Sequence, residues 1–179
     1  NIFINKKFDK KSKVLGVHFR GSTYKTARGH AFPPTIKLMI KNIETLMQKY
    51  KYDKIFLVTE EQKYLSALKK KFGDKLIFYN SFRMNKLDSF KIYPRRNHRY
   101  LLGEEILTET LILSKCQGLT YIKSNVISAA IMFSKKKIET HEMFLGFNSR
   151  NKFFSNYLWF IKSFLPGKFG GLKFINKTK

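Results

Sequence analysis

The feature that most restricts what this chain can fold into is a repeated alternation of short apolar runs with longer segments of helical period. Val14-Leu15-Gly16-Val17, the heart of a run over residues 13–19, is apolar and short, as a strand buried on both faces must be. Residues 53–59 (DKIFLVT), 75–79 and 118–123 (GLTYIK) are of the same type. Between them, Pro33-Pro34 followed by Thr35 is a helix start, and Ile36, Met39, Ile43, Leu46 and Met47 recur at helical spacing to Tyr50. Residues 60–72 carry Tyr64, Leu65 and Leu68 on one side and stop at Gly73. Residues 103–116 read as a further helix, 126–133 as another capped by Ser124-Asn125, and 137–144 as a last strand. This order predicts an α/β fold: a Rossmann-like parallel sheet with helices on both faces. Residues 80–100, rich in Arg and without clear period, read as a long loop.

At 179 residues the chain is long enough for one well-buried core, which we place over residues 1–147, with a tail from 148 to 179. A hydrophobic content of 43%, with 16% aromatic residues, excludes a disordered chain. Thirty-six Lys and Arg against 12 Asp and Glu leave a net charge of +24, which directs attention to nucleic acid, anionic lipid or a phosphorylated substrate. The lysines are spread along the whole chain, in runs such as 69–71 and 135–137, so no specific nucleic-acid partner is expected. A single cysteine, Cys116, excludes an internal disulfide; it lies in an apolar helical pattern and reads as a buried thiol in a reducing, cytoplasmic compartment. No apolar run approaches a membrane span and no signal peptide opens the chain. The first residue is Asn1 rather than Met, which suggests that something upstream is removed or omitted.

In open parallel sheets ligands sit beyond the carboxyl ends of the strands. Two strand ends here carry suitable chemistry: residues 18–24 after the first, and 123–125 after the fourth. Arg20 can fork two donors onto phosphate oxygens and, being always charged, can stabilise a departing diphosphate without a metal. Gly21 leaves room for a ligand to approach the backbone. Ser124 and Asn125 stand at a helix start, where free N–H groups and the dipole favour an anion. Plainer readings stand beside these: a satisfied strand-end histidine for His18, an ion pair for Arg20, an ordinary cap for Ser124-Asn125, and a loop histidine for His30. Glu104 and Glu105 read as acids at a helix start, with Glu105 also a candidate for lining the site. The tail crowds Phe153, Phe154, Tyr157, Trp159, Phe160 and Phe164 among lysines. It reads either as a terminal helix docked on the sheet or on another domain, or as an interfacial helix resting on an anionic membrane, and both stay open.

The succession GVHFRGSTYK and GHAFPP, then KIFLVTE, then GEEILTETLILSKC followed by SNVISAAIMF, resembles the nucleotide-binding half of fucosyltransferase-like glycosyltransferases. These include the core α1,6-fucosyltransferases, the nodulation fucosyltransferases and related bacterial surface-polysaccharide enzymes. The resemblance covers roughly residues 14–133. It implies the carboxy-terminal donor-binding domain of a GT-B-like transferase, which an acceptor-side domain normally precedes. His18 and Arg20 match the family's HxR, with the arginine bracing the donor β-phosphate and the histidine near the base. Thr59-Glu60 match the acidic pair closing the second strand, Glu109 the carboxylate that contacts guanine, and Ser124-Asn125 the phosphate-contacting end of the last motif. Tyr24, Lys25 and His30 belong to the extended first loop, where His30 could serve on the acceptor side. The chain departs from the family's RGTD or RRTD by reading Arg20-Gly21-Ser22-Thr23, without the acid.

The expected function is therefore inverting transfer of a sugar from a nucleotide-sugar donor, GDP-fucose in the first place, to a glycan acceptor hydroxyl. No Asp-x-Asp metal motif occurs, no metal or cofactor is expected, and no general base is assigned. The tail adds peripheral association with the inner face of a membrane as a partner expectation. The alternative is a non-catalytic basic module that binds nucleic acid or anionic membrane.

Overall fold

The computed structural model describes residues 8, 12–21, 23–84 and 91–173. Strand β1 (Val14–His18) is buried along its whole length, paired on one edge with β2 (Lys54–Val58) and on the other with β4 (Gly118–Tyr121). Among the described residues the sheet has five strands, all parallel, in the order β3 (Leu76–Phe78), β2, β1, β4, β5 (Glu139–Glu142). The chain thus winds outward one way from β1, then returns to its other side, and this reversal makes the crevice between β1 and β4 the place where such sheets hold ligands. In register, His18 is level with Val58 on one side and with Tyr121 on the other, so the segments leaving all three strands emerge together.

Period-two alternation sorts the strand side chains between two cores. Leu15, Val17, Ile55 and Leu57 pack with Met39, Ile43, Leu65 and Leu68 of helices α1 (Ile36–Tyr50) and α2 (Gln62–Phe72). Val14, Phe56, Val58 and Leu119 pack with Ile112, Leu113, Ile127 and Ala130 of α3 (His98–Leu113) and α4 (Asn125–Met132). Helices on both faces follow from strands apolar on both faces. Gly118 faces the first core, and a Cβ there would lie 1.9 Å from the Tyr52 hydroxyl. That hydroxyl donates to Glu139 Oε2 at 2.9 Å and lies 3.2 Å from His141 Nε2, tying the loop after α1 to the exposed edge strand.

Local chemistry explains most helix boundaries. The Thr35 hydroxyl accepts from Leu38 N–H at 3.3 Å, capping α1 directly after the two prolines. Gly73 ends α2 with φ +51°. Helix α3 corrects an expectation, for it begins at His98 and not at Gly103. Its added first turn is held by one tertiary and one local contact: His98 is buried, stacks edge-on to Phe82 at 4.8 Å, and accepts from Arg95 Nε, three residues earlier, at 3.2 Å. Gly103 is an interior, exposed helix residue whose missing side chain would meet nothing within 4 Å.

The tail forms α5 (Lys152–Phe164), capped by Asn151 accepting from Phe153 N–H at 2.8 Å. One side of it docks on the segment that joins β1 to α1. Trp159 packs with Phe32 and Leu172, and its indole N–H donates to Pro33 O at 2.7 Å. Buried Asn148 donates to Lys25 O at 3.2 Å and to Ser155 O at 3.0 Å, so the same staple reaches the first loop. The other side of α5 leaves Phe153, Phe154, Tyr157, Phe160 and Phe164 exposed. No helix among the described residues is long and apolar enough to cross a membrane.

Two glycine substitutions separate packing from propensity. Gly118→Ala should destabilise the fold by about 1–3 kcal/mol, because the Tyr52 ring has to leave its place beside Glu139 and His141. Gly103→Ala should stabilise it by about 0.5–1 kcal/mol, through helix propensity alone. Urea denaturation of both variants checks the pair, and equal shifts would contradict this account of the core.

Candidate functional site

The two strand ends singled out in the sequence meet. His18, the last residue of β1 and almost fully buried, places Nδ1 3.3 Å from the hydroxyl of Ser124. Ser124 also caps α4, accepting from Ile127 N–H at 3.4 Å. When Ser124 gives its proton to Nδ1, both groups are satisfied and the imidazole keeps its own N–H on Nε2. Burial, and after it the charge of Arg20, push the His18 pKa down to about 3, so the ring is neutral at physiological pH.

Arg20 follows one residue out of the sheet and is half-buried. Its Nη2 lies 2.8 Å from Glu60 Oε2, its Nη1 donates to the Tyr24 hydroxyl at 3.3 Å, and its guanidinium sits 4.5 Å over the Tyr24 ring. Glu60 is placed by the end of β2 and also accepts from the Thr23 hydroxyl at 3.3 Å. Thr23 thus meets Glu60 from the loop after β1. An acid there would bring two carboxylates together beside one arginine, whereas the threonine hydroxyl serves as a donor to Glu60.

A cleft of about 100 Å³ opens behind these groups, on the α3–α4 side of the sheet. Val58, Leu102, Ile106 and Val126 give it apolar walls, while His18, Arg20, Glu105 and Glu109 supply the polar ones. Glu109 is buried on α3. Its Oε1 accepts from the Ser81 hydroxyl at 2.7 Å and lies 3.4 Å from Arg83 Nη2. Burial nonetheless pushes its pKa up to about 7, against the opposing pull of Ser81 and Arg83. Glu105 is held by a two-pronged pair with Arg95, at 2.7 and 2.9 Å, and by Phe82 N–H at 3.1 Å. Burial disfavours its charge, but these bonds outweigh burial and hold the carboxyl below its usual range.

Other expected residues fall outside this cluster. The room left by Gly21 is filled by the Tyr64 ring and Glu61, 2.1 and 2.3 Å from where a Cβ would stand, so packing requires this glycine. Lys25 turns to the opposite side of the loop, 3.6 Å from Glu61 Oε1. His30 is exposed and stands edge-on to Tyr24 at 4.9 Å. Asn125 is exposed as the first residue of α4. Ser22 lies outside the described residues. Sequence reasoning missed Ser81 and Phe82, which line the cleft from the loop before α3, and Arg83 and Arg95, which hold the wall carboxyls Glu109 and Glu105 from behind; the density of arginine there was the available signal. Cys116 is buried beside Gly16, and burial pushes its thiol well up. Among the described residues no group of three or more His, Cys, Asp or Glu could hold a metal ion.

Glu109 and His18 impose opposite pH dependences on stability. Glu109 keeps a proton in the fold that the unfolded chain loses near pH 4.5, so its contribution is full below that value and fades as pH rises to about 7. His18 resists protonation in the fold, so its contribution is full above pH 6.5 and is lost progressively as pH falls towards about 3. Glu109→Gln should remove the first slope and His18→Asn the second. Denaturant titrations between about pH 4 and 8 read both, and parallel slopes in the two variants would contradict these environments.

No protein family matches the chain, and no curated protein does. Among solved structures it is similar to the NodZ alpha-1,6-fucosyltransferase co-crystallized with GDP, at 16% identity and a TM-score of 0.49, over 74% of this chain and 39% of that one. It is also similar to POFUT1 in complex with GDP-fucose, at 10% identity and a TM-score of 0.48, over 79% of this chain and 44% of that one. The chain spans less than half the length of these solved structures.

Proposed function

We propose that this chain is the donor-binding part of a glycosyltransferase that takes a nucleoside-diphosphate sugar, GDP-fucose or a close relative. The observation that carries the reading is the His18–Ser124 contact across β1 and β4, which brings Arg20 and the start of α4 to one crevice. Arg20 is held there by Glu60 and Tyr24 and can turn its fork to a diphosphate with little rearrangement. Glu109, on the cleft wall, is the group for the base edge. In the reaction an acceptor hydroxyl oxygen attacks the anomeric carbon as the bond to the β-phosphate oxygen breaks, and the hydroxyl proton is released to water. The bonding electrons leave with the diphosphate, whose growing charge Arg20 and the first N–H groups of α4 stabilise. Neutral His18 cannot carry that charge, but it fixes Ser124 and with it the helix start.

A second reading concerns location. The exposed aromatic side of α5, flanked by Arg150, Lys152, Lys162 and Lys168 on a chain of net charge +24, suits the surface of an anionic membrane. It is compatible with the transferase reading and requires no span.

GDP at about 100 times its Kd should add about 2.7 kcal/mol of stability, a rise in Tm of several degrees. Arg20→Ala should abolish most of that shift, while Thr23→Asp should weaken it by crowding Glu60. Absence of any effect from GDP, UDP or CMP on Tm would overturn the transferase reading. For the membrane reading, co-sedimentation with vesicles rich in phosphatidylserine should be lost on Phe160→Ser with Phe164→Ser; retention by that double variant would overturn it.

A further inference from the structure

On the other side of the sheet lies a larger cavity, about 440 Å³, that the proposed transfer does not use. Its walls come from the loop after β1, the first turns of α1 and α2, and the docked α5 with the strand-like segment beyond it. Four lysines line it, Lys25, Lys37, Lys63 and Lys173, against one carboxylate, Glu61, so the lining carries 4 − 1 = +3. Its volume falls in the range of small-molecule sites, roughly 300–1,000 Å³.

Two observations distinguish it from an incidental dent in a basic surface. Lys25 is not a loose surface lysine: its ammonium lies 5.1 Å from the Tyr64 ring centre and 4.9 Å from that of Trp159, with Glu61 Oε1 at 3.6 Å. Its side chain is only 18% exposed, so the charge is fixed before any ligand arrives. Glu61, 3% exposed in its side chain, lies beside Lys25, and the other lysines of the lining, Lys37, Lys63 and Lys173, come from three separate elements that converge on one space. Lysines arranged in this way act as point charges for a phosphate. The cavity also extends past the space of one phosphate to the exposed ring of Phe164, which gives a ligand body an apolar wall.

We propose that this cavity is a second anion site, which takes the phosphate group of a small phosphorylated ligand. Neither Arg20 nor His18 lines it, so the proposal does not depend on the donor reading. The phosphate can belong to a soluble sugar phosphate or to a phosphomonoester lipid headgroup, since Phe164 is shared between the cavity rim and the exposed side of α5.

Trp159 is the single tryptophan of the chain and lines the cavity, so its fluorescence reports occupancy directly. The full chain would be titrated at an ionic strength of about 0.15 M, once with a hexose 6-phosphate and once with phosphatidic-acid vesicles. The free hexose and phosphatidylcholine vesicles are the controls. A saturable change with either phosphorylated probe, and none with its control, is expected. Lys37→Glu combined with Lys173→Glu, both exposed positions, should weaken that binding by about tenfold or more with Tm unchanged. Arg20→Ala should leave it intact. A response to one probe alone supports the proposal and names the source of the phosphate. No saturable response to either probe, undiminished binding in the double lysine variant, or loss on Arg20→Ala would each overturn it.

Discussion

Everything at the candidate site depends on β1 being locked from four directions. It has a parallel partner on each edge and a packed helical layer on each face, and none of its five residues reaches solvent appreciably. A strand in that position cannot slip by one residue without exchanging its two cores, because alternate side chains belong to different helix layers. The position of His18 is therefore set by the interior of the protein. Ser124 is set equally firmly by β4 and the cap of α4, so the 3.3 Å contact between them is a property of the sheet. Loops contribute direction and charge to a framework that does not need them.

The segment that leaves β1 is divided between two tasks. Arg20 and Tyr24 turn towards Glu60 and the cleft, while Gly21 and Lys25 turn towards Tyr64, Glu61 and Trp159. The absence of a side chain at Gly21 is what lets the loop lie against Tyr64 at the point of division. From the far side, Asn148 and Trp159 bind the backbone of Lys25 and Pro33. The carboxy-terminal helix thus acts on the candidate site by holding the shape of this loop, without touching the cleft itself.

What was legible in the sequence follows from where periodicity exists. Strands such as 53–59 could be read because a strand buried on both faces is apolar at every position. Helix α1 could be read because Met39, Ile43 and Leu46 repeat on one side between a threonine cap and a strand. The start of α3 could not, since its first turn, beginning at His98, is polar and packs on Phe82, a partner 16 residues away that no helical period announces. His18, Arg20 and Ser124 were singled out because they stand at strand ends, and the sheet does bring His18 and Ser124 into contact. Lys25 was grouped with them by proximity in sequence, and its true direction is decided by Trp159, 134 residues away. The long loop before α3 concealed Arg83 and Ser81 for the same reason: irregular backbone carries no period from which side-chain direction can be inferred.

The acids of this very basic chain show how the site divides into fixed and exchangeable parts. Four of its 12 carboxylates, Glu60, Glu61, Glu105 and Glu109, pair with cations near the carboxyl edge of the sheet. The pairs differ in burial, and burial decides what each can do. Arg83 and Glu109 expose 4% and 7% of their side chains, and burial keeps the Glu109 carboxyl protonated up to about pH 7, so this contact is a closed wall held by hydrogen bonds, from Ser81 to Glu109 and from Arg83 to the Ser81 and Tyr79 carbonyls. Arg20 and Glu60 expose 27% and 23%, and a pair in that position contributes about 1 kcal/mol or less. A diphosphate with more than one negative charge can outbid a single carboxylate at that cost. Glu60 therefore holds the guanidinium extended over Tyr24 in a pair that a more highly charged anion could displace, whereas Glu109 and Arg83 belong to the closed wall of the cleft.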